Sequence, residues 1–155
     1  MEFTYPNKML QSELLKKAAS KKIELPLFEK SVLIKGDNFT ILSSLLDQFK
    51  SKIDLIYIDP PFNTNQVFTV NDNRQNSISR INGGLVAYSD NLTKEEYIEF
   101  MRERLILARE LLSERGSILV HIDLKMGHYL KVIMDEIFGD HNFKNDITRV
   151  KSNPK

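Results

Sequence analysis

A chain of 155 residues with 41% hydrophobic and 28% charged residues is long enough for one packed domain and too apolar to stay disordered. No apolar run reaches membrane-spanning length, the start Met1-Glu2-Phe3-Thr4-Tyr5 lacks a signal-peptide pattern, and the absence of cysteine removes disulfides, thiol nucleophiles and thiolate metal sites. These exclusions fit a cytoplasmic protein without a membrane partner, while a net charge of +1 is a weak match for a chain that grips a polyanion unaided.

Residues 1–30 read as a helical extension, with Leu10, Leu14, Leu15 and Ala18 on one side of a short helix. Lys16, Lys17, Lys21 and Lys22 gather near its end, where solvated lysines facing the helix dipole are a simpler reading than a phosphate site. Pro26 stops any continuation. Residues 31–35 (Ser-Val-Leu-Ile-Lys) predict a short strand, and Gly36-Asp37-Asn38 a turn into a helix over 39–49. Asp37 or Asn38 can cap that helix, whose expected buried stripe is Ile41, Leu42, Leu45, Leu46 and Phe49. With the strand that follows, these elements predict one βαβ unit.

That following strand carries the chemistry. Asp54-Leu55-Ile56-Tyr57-Ile58 is an apolar run of the kind buried on both faces of a parallel sheet, and Asp59-Pro60-Pro61-Phe62 ends it abruptly. In open α/β sheets ligands lie beyond the carboxyl ends of the strands, where Asp59 falls. The arrangement suits methylation of an exocyclic amino group, whose nitrogen lone pair is delocalised into its ring. Two fixed acceptors aimed at the N–H bonds, the Asp59 carboxylate and the Pro60 carbonyl, localise that lone pair. Locked φ angles at Pro60 and Pro61 hold the carbonyl, and Phe62 offers a π face for a flipped-out base.

From residue 63 to 92 the pattern dissolves into a long polar loop, expected to act as a substrate-contacting lid with Arg74 and Arg80 available for phosphate, or to be a disordered insertion. Thr93-Lys94-Glu95-Glu96 fits a capping box opening a helix to about Arg115, stopped by Gly116. Its stripe of Tyr97, Phe100, Met101, Leu105, Ala108, Leu111 and Leu112 reads as core packing. A strand over 117–123 ends in His121 and Asp123, which share a face and are candidates for positioning the base or the loop. A helix over 125–138 follows, with Met126, Tyr129, Leu130, Ile133 and Ile137 inward and Gly139 ending it. A metal-dependent hydrolase built on Asp59, His121, Asp123 and His128 is a minor reading; the spacing matches no standard ligand pattern, and no metal is expected.

Asp59-Pro60-Pro61-Phe62 resembles the catalytic motif of the amino-group DNA methyltransferases. Gly36-Asp37, Tyr88-Ser89-Asp90, Phe138-Gly139 and Asn145-Asp146-Ile147 resemble the same family, in particular its β-type N6-adenine members such as the modification subunits of type III restriction systems. The resemblance implies a Rossmann-like α/β fold, present as a partial sheet with flanking helices, and S-adenosylmethionine as methyl donor. It assigns catalysis to Asp59, Pro60, Pro61 and Phe62 and places Asp37 toward the donor. It implies double-stranded DNA as partner, with a restriction subunit or a homodimer as further associations. Asp at the first motif position leans toward adenine, with cytosine N4 as the alternative. No Phe-x-Gly-x-Gly turn for the donor occurs, so residues 31–155 are expected to be the N-terminal catalytic half of a longer or split enzyme, completed by a second segment or chain. A non-catalytic subunit that lends DNA contacts is the competing expectation.

Overall fold

A computed structural model of the chain describes residues 2–61, 67–70, 78–79, 85–89 and 92–148, the three short middle stretches by their backbone alone. Its centre is helix α3, Lys94–Leu111. The capping box forms as its residues dictate: the Glu96 amide donates to Thr93 Oγ1 at 3.2 Å and the Thr93 amide to the Glu96 carboxylate at 2.8 Å. Unlike a surface helix with one apolar stripe, α3 is buried on several sides. Tyr97, Ile98, Met101 and Leu105 join Met126, Leu130 and Ile133 of helix α4, Leu124–Phe138, in one core cluster. Ile106 and Leu107 join Leu14 and Ala18 of helix α1, Gln11–Ser20, and Phe39 of helix α2, Asn38–Phe49, in a second.

The face that α2 buries deepest is not the expected aliphatic stripe but Phe39, Ser43 and Ser44, with the leucines half-buried. Serine is tolerated there because each hydroxyl donates back along the helix, Ser43 to the Phe39 carbonyl at 2.7 Å and Ser44 to that of Thr40 at 2.8 Å.

Strand β1, Ile53–Ile58, pairs in parallel with Leu112–Val120, which follows α3 directly; the register sets Leu55 opposite Ser117, Ile56 opposite Ile118, Tyr57 opposite Leu119 and Ile58 opposite Val120. Helices cover one face of this pair, where Ile58, Ile118 and Val120 pack on the α3/α4 cluster. On the other face Leu55, Tyr57 and Leu119 stay 62%, 63% and 43% exposed. Parallel strands are ordinarily covered on both faces, so the sheet is one-sided among the described residues.

Three expectations need correction. Residues 31–35 form no strand: they find no ladder partner among the described residues, Leu33 is 98% exposed, and the βαβ unit expected over residues 31–58 does not form. The helix expected to run to Arg115 ends at Leu111, and Gly116 lies inside the following strand. A Cβ at Gly116 would stand 2.7 Å from the Ile53 carbonyl oxygen, so glycine there serves close strand approach and not a helix stop. Finally, the described residues within 63–92 form three short antiparallel strands, β2 Val67–Val70, β3 Ile78–Ser79 and β4 Leu85–Ser89, in the order β3-β2-β4, so the strand after α3 is β5. Val67-Phe68-Thr69-Val70 and Leu85-Val86-Ala87-Tyr88 are β-prone runs that the surrounding polar residues mask.

The N-terminal arm is tied to α3 and α4 by carboxylates. The Phe3 amide and Lys8 Nζ donate to Glu136 at 3.0 and 2.7 Å, the Met9 amide donates to Glu99 at 3.2 Å, and the Tyr5 hydroxyl donates to Glu99 as well. Burial works to raise the Glu136 pKa, but the hydrogen bonds from Lys8 and Phe3, with the charges of Lys8 and Arg102, outweigh it and hold the carboxyl below its usual range. A carboxyl lowered by folding contributes stability that is fully present at neutral pH and is lost as the pH falls through the lowered value. Glu136→Gln is expected to lower the urea midpoint at neutral pH and to flatten its decline toward about pH 3. An unchanged acid limb in that variant would assign the acid sensitivity elsewhere.

Candidate active site

The parallel register carries β1 and β5 to a common carboxyl edge, one step beyond the Ile58–Val120 pair. There the His121 amide donates to the Ile58 carbonyl at 2.8 Å, which extends the ladder by one bond. Odd-numbered residues of both strands face the uncovered side, so Asp59 continues the row of Leu55 and Tyr57, and His121 that of Ser117 and Leu119. Their side chains meet. His121 Nδ1 lies 3.0 Å from Asp59 Oδ1, with the two side chains 52% and 57% exposed. The contact engages one carboxylate oxygen, Asp59 Oδ1.

Behind Asp59 the chain turns inward. Pro60 is buried and Pro61 half-buried. The Pro61 carbonyl accepts a 2.6 Å hydrogen bond from the hydroxyl of Tyr97, a residue of α3 that is 1% exposed. Reading Tyr97 as core packing caught its ring and missed its hydroxyl. The available signal was chemical: a phenol in an otherwise apolar stripe needs a partner when buried.

Asp123 does not join His121 at Asp59. It caps α4, accepting from the Met126 amide at 3.1 Å. His128 is exposed on α4, and among the described residues no group of three or more His, Asp and Glu side chains could hold a metal ion. Asp37 caps α2 by accepting from the Thr40 amide at 2.9 Å, and Arg104 stands 3.7 Å from its other oxygen. Burial pulls the Asp37 carboxyl up, while the Thr40 hydrogen bonds and the Arg104 charge outweigh it and hold the pKa below its usual range. Of the lysine cluster, Lys17 pairs with Glu103 and Lys22 with Asp47. Phe62, Arg74 and Arg80 lie outside the described residues.

The edge thus offers an oriented, exposed carboxylate followed by a rigid, anchored diproline turn. Residues 53–155, from the start of β1 onward, match the family model described as DNA methylase. The chain belongs to the DNA methylase family.

The type II methyltransferase M.EcaI of Enterobacter cloacae is 40% identical over 159 aligned residues, which take in 97% of this chain and 32% of that protein. The probable type III restriction-modification enzyme HindVI Mod subunit of Haemophilus influenzae is 39% identical over 76% of this chain and 14% of its own length. The EcoP15I Mod subunit of Escherichia coli is 33% identical over 75% of this chain and 20% of its own. The chain therefore spans about a third or less of these relatives.

DNA methylases use S-adenosylmethionine as methyl donor, a molecule whose close approach to backbone calls for a glycine turn between strand and helix. No described glycine supplies one. Gly36 sits ahead of the α2 cap, Gly116 inside β5, Gly127 within α4, and Gly139, at φ +86°, ends α4. Among the described residues the edge thus presents an exposed carboxylate and no glycine turn of the kind that cradles a donor.

Proposed function

We propose that this chain is the catalytic half of a DNA methyltransferase of a restriction-modification system, acting on the N6 amino group of adenine. The observation that carries the reading is the Asp59 carboxylate, set on the open side of the sheet edge by His121 and backed by the anchored Pro60-Pro61 turn. Asp59 Oδ2 accepts one amino hydrogen and the Pro60 carbonyl the other, which concentrates the lone pair on nitrogen and aims it at the electrophilic methyl that the donor supplies. The amino proton shed on methylation has the carboxylate beside it as acceptor. Phe62 stacks on the flipped base, Arg74 and Arg80 contact phosphate, and His121 is the positioning residue of the carboxylate. Asp123 acts at one remove, by fixing the start of α4 just after His121.

The α/β body is read as one part of a Rossmann-like sheet, residues 31–155 being the catalytic half and residues 1–30 an extension of it. Among the described residues, the uncovered face at Leu55, Tyr57 and Leu119 and the lack of a glycine turn support a second segment or chain that completes the sheet and holds the donor. Asp37 is the contact proposed from this half toward the donor, through the oxygen not used in capping. Double-stranded DNA is the substrate, and the names of the Mod-subunit relatives support a restriction subunit as an associate.

Transfer of labelled methyl from S-adenosylmethionine to mixed-sequence DNA, by the chain joined with the segment or partner that completes it, tests this reading, with the modified nucleoside identified after digestion. N6-methyladenine is the expected product; N4-methylcytosine would move the substrate to cytosine. Calorimetry with the chain alone is expected to show weak or no donor binding. Tight one-to-one binding would sink the half-enzyme reading and leave the catalytic one standing.

A further inference from the structure

We propose that Tyr97 is a positioning residue of the catalytic turn, acting through its hydroxyl on the Pro61 carbonyl; this rests on the methyl-transfer reading above. Two consecutive prolines contribute no N–H, so the turn has no amide at either residue with which to fix itself. The Pro60 and Pro61 rings lock both φ angles, and a following proline confines ψ at Pro60 to the extended region. One soft dihedral is left, ψ at Pro61. It rotates the Pro61 carbonyl and sets the direction in which the chain leaves the turn toward Phe62. Tyr97 holds that carbonyl at 2.6 Å.

The holder is itself rigid. The Tyr97 ring is 1% exposed and stacks near Phe100, with centroids 6.3 Å apart. Its amide donates to the Thr93 carbonyl at 2.9 Å, in a first turn already fixed by the capping box. A ring needed only for packing could be phenylalanine, and burying a hydroxyl is unfavourable unless it gains a partner. The hydroxyl donates to the carbonyl that controls the turn. His121 then fixes the Asp59 side chain at one end of the motif and Tyr97 the backbone at the other.

Tyr97→Phe keeps the ring and deletes the hydrogen bond. Hydrogen exchange followed by mass spectrometry is expected to show, on the order of tenfold, faster exchange in peptides carrying the Asp59 and Phe62 amides, with α3 unchanged. In the methyl-transfer assay kcat is expected to fall roughly ten- to a hundredfold with KM for DNA little changed, because misplacing a reacting group weakens the transition state more than binding. Unchanged exchange at the turn overturns the proposal whatever the kinetics show. A uniform rise across α3 and β1 overturns it too, by making the hydroxyl a stability contact. Faster exchange at the turn with wild-type kcat removes the catalytic role. If the wild-type chain transfers no methyl even when joined by the segment that holds the donor, the methyl-transfer reading is what fails, and exchange alone supports or overturns the hold on the turn.

Discussion

Asp59→Ala is expected to lower methyl transfer by about a hundred- to a thousandfold, the loss typical of removing one preorganised group that meets charge developing in a transition state. The same loss corresponds to roughly 3–4 kcal/mol of barrier. Little of it is expected in DNA affinity, since Asp59 carries negative charge and cannot attract phosphate. Folding is expected to be almost unaffected, because the side chain is 57% exposed and its described polar contact is His121. Asp59→Asn sharpens the test: it keeps the shape and one acceptor oxygen but replaces the other with a donor that opposes an amino hydrogen. Both variants are expected to be comparably inactive, and wild-type transfer by either would remove the carboxylate from the mechanism. Replacing His121 by Ala should cost less, about tenfold, because it loosens the carboxylate without deleting it.

The family was legible because the motif that carries the resemblance is contiguous: an apolar strand, a carboxylate, two prolines and an aromatic ring stand in one line of sequence. The His121–Asp59 meeting was half legible. Alternation places His121 at a strand end, but only the parallel register, Ile58 opposite Val120, says which residue it meets. The Tyr97–Pro61 bond spans 36 positions and depends on where α3 docks, so periodicity reports the ring and is blind to the hydroxyl. Helix limits at Asp37, Thr93 and Gly139 follow from capping chemistry, which is local. Where local signals misled, tertiary pairing decided. Val32 and Leu33 have strand propensity without a partner strand among the described residues, whereas Gly116, a helix-stop signal, was needed where β5 passes the Ile53 carbonyl.

Leu105→Ala should reveal how far the whole body depends on α3. Leu105 is fully buried, in the cluster that packs α3 and α4 against the sheet. The side chains one and two residues on, Ile106 and Leu107, belong to the second cluster with α1 and α2. One helix therefore staples two cores that share no buried residue. Truncating a fully buried leucine removes transfer free energy and leaves a cavity, together about 2–5 kcal/mol, a large share of a domain's total stability of roughly 5–15 kcal/mol. Because α3 cannot remain helical for one cluster and unfold for the other, both should melt together. Urea unfolding of Leu105→Ala is expected to give a single transition at lower midpoint, coincident by helical circular dichroism and by tyrosine fluorescence. Tyr5 and Tyr97 report the Leu105 side of the helix, while α1 and α2 contribute ellipticity from the other. Two separated transitions, with the fluorescence change moved and a helical fraction left behind, would show that α1 and α2 hold their part of α3 independently. The Pro60-Pro61 turn would then depend on one cluster alone, since Tyr97 lies within it.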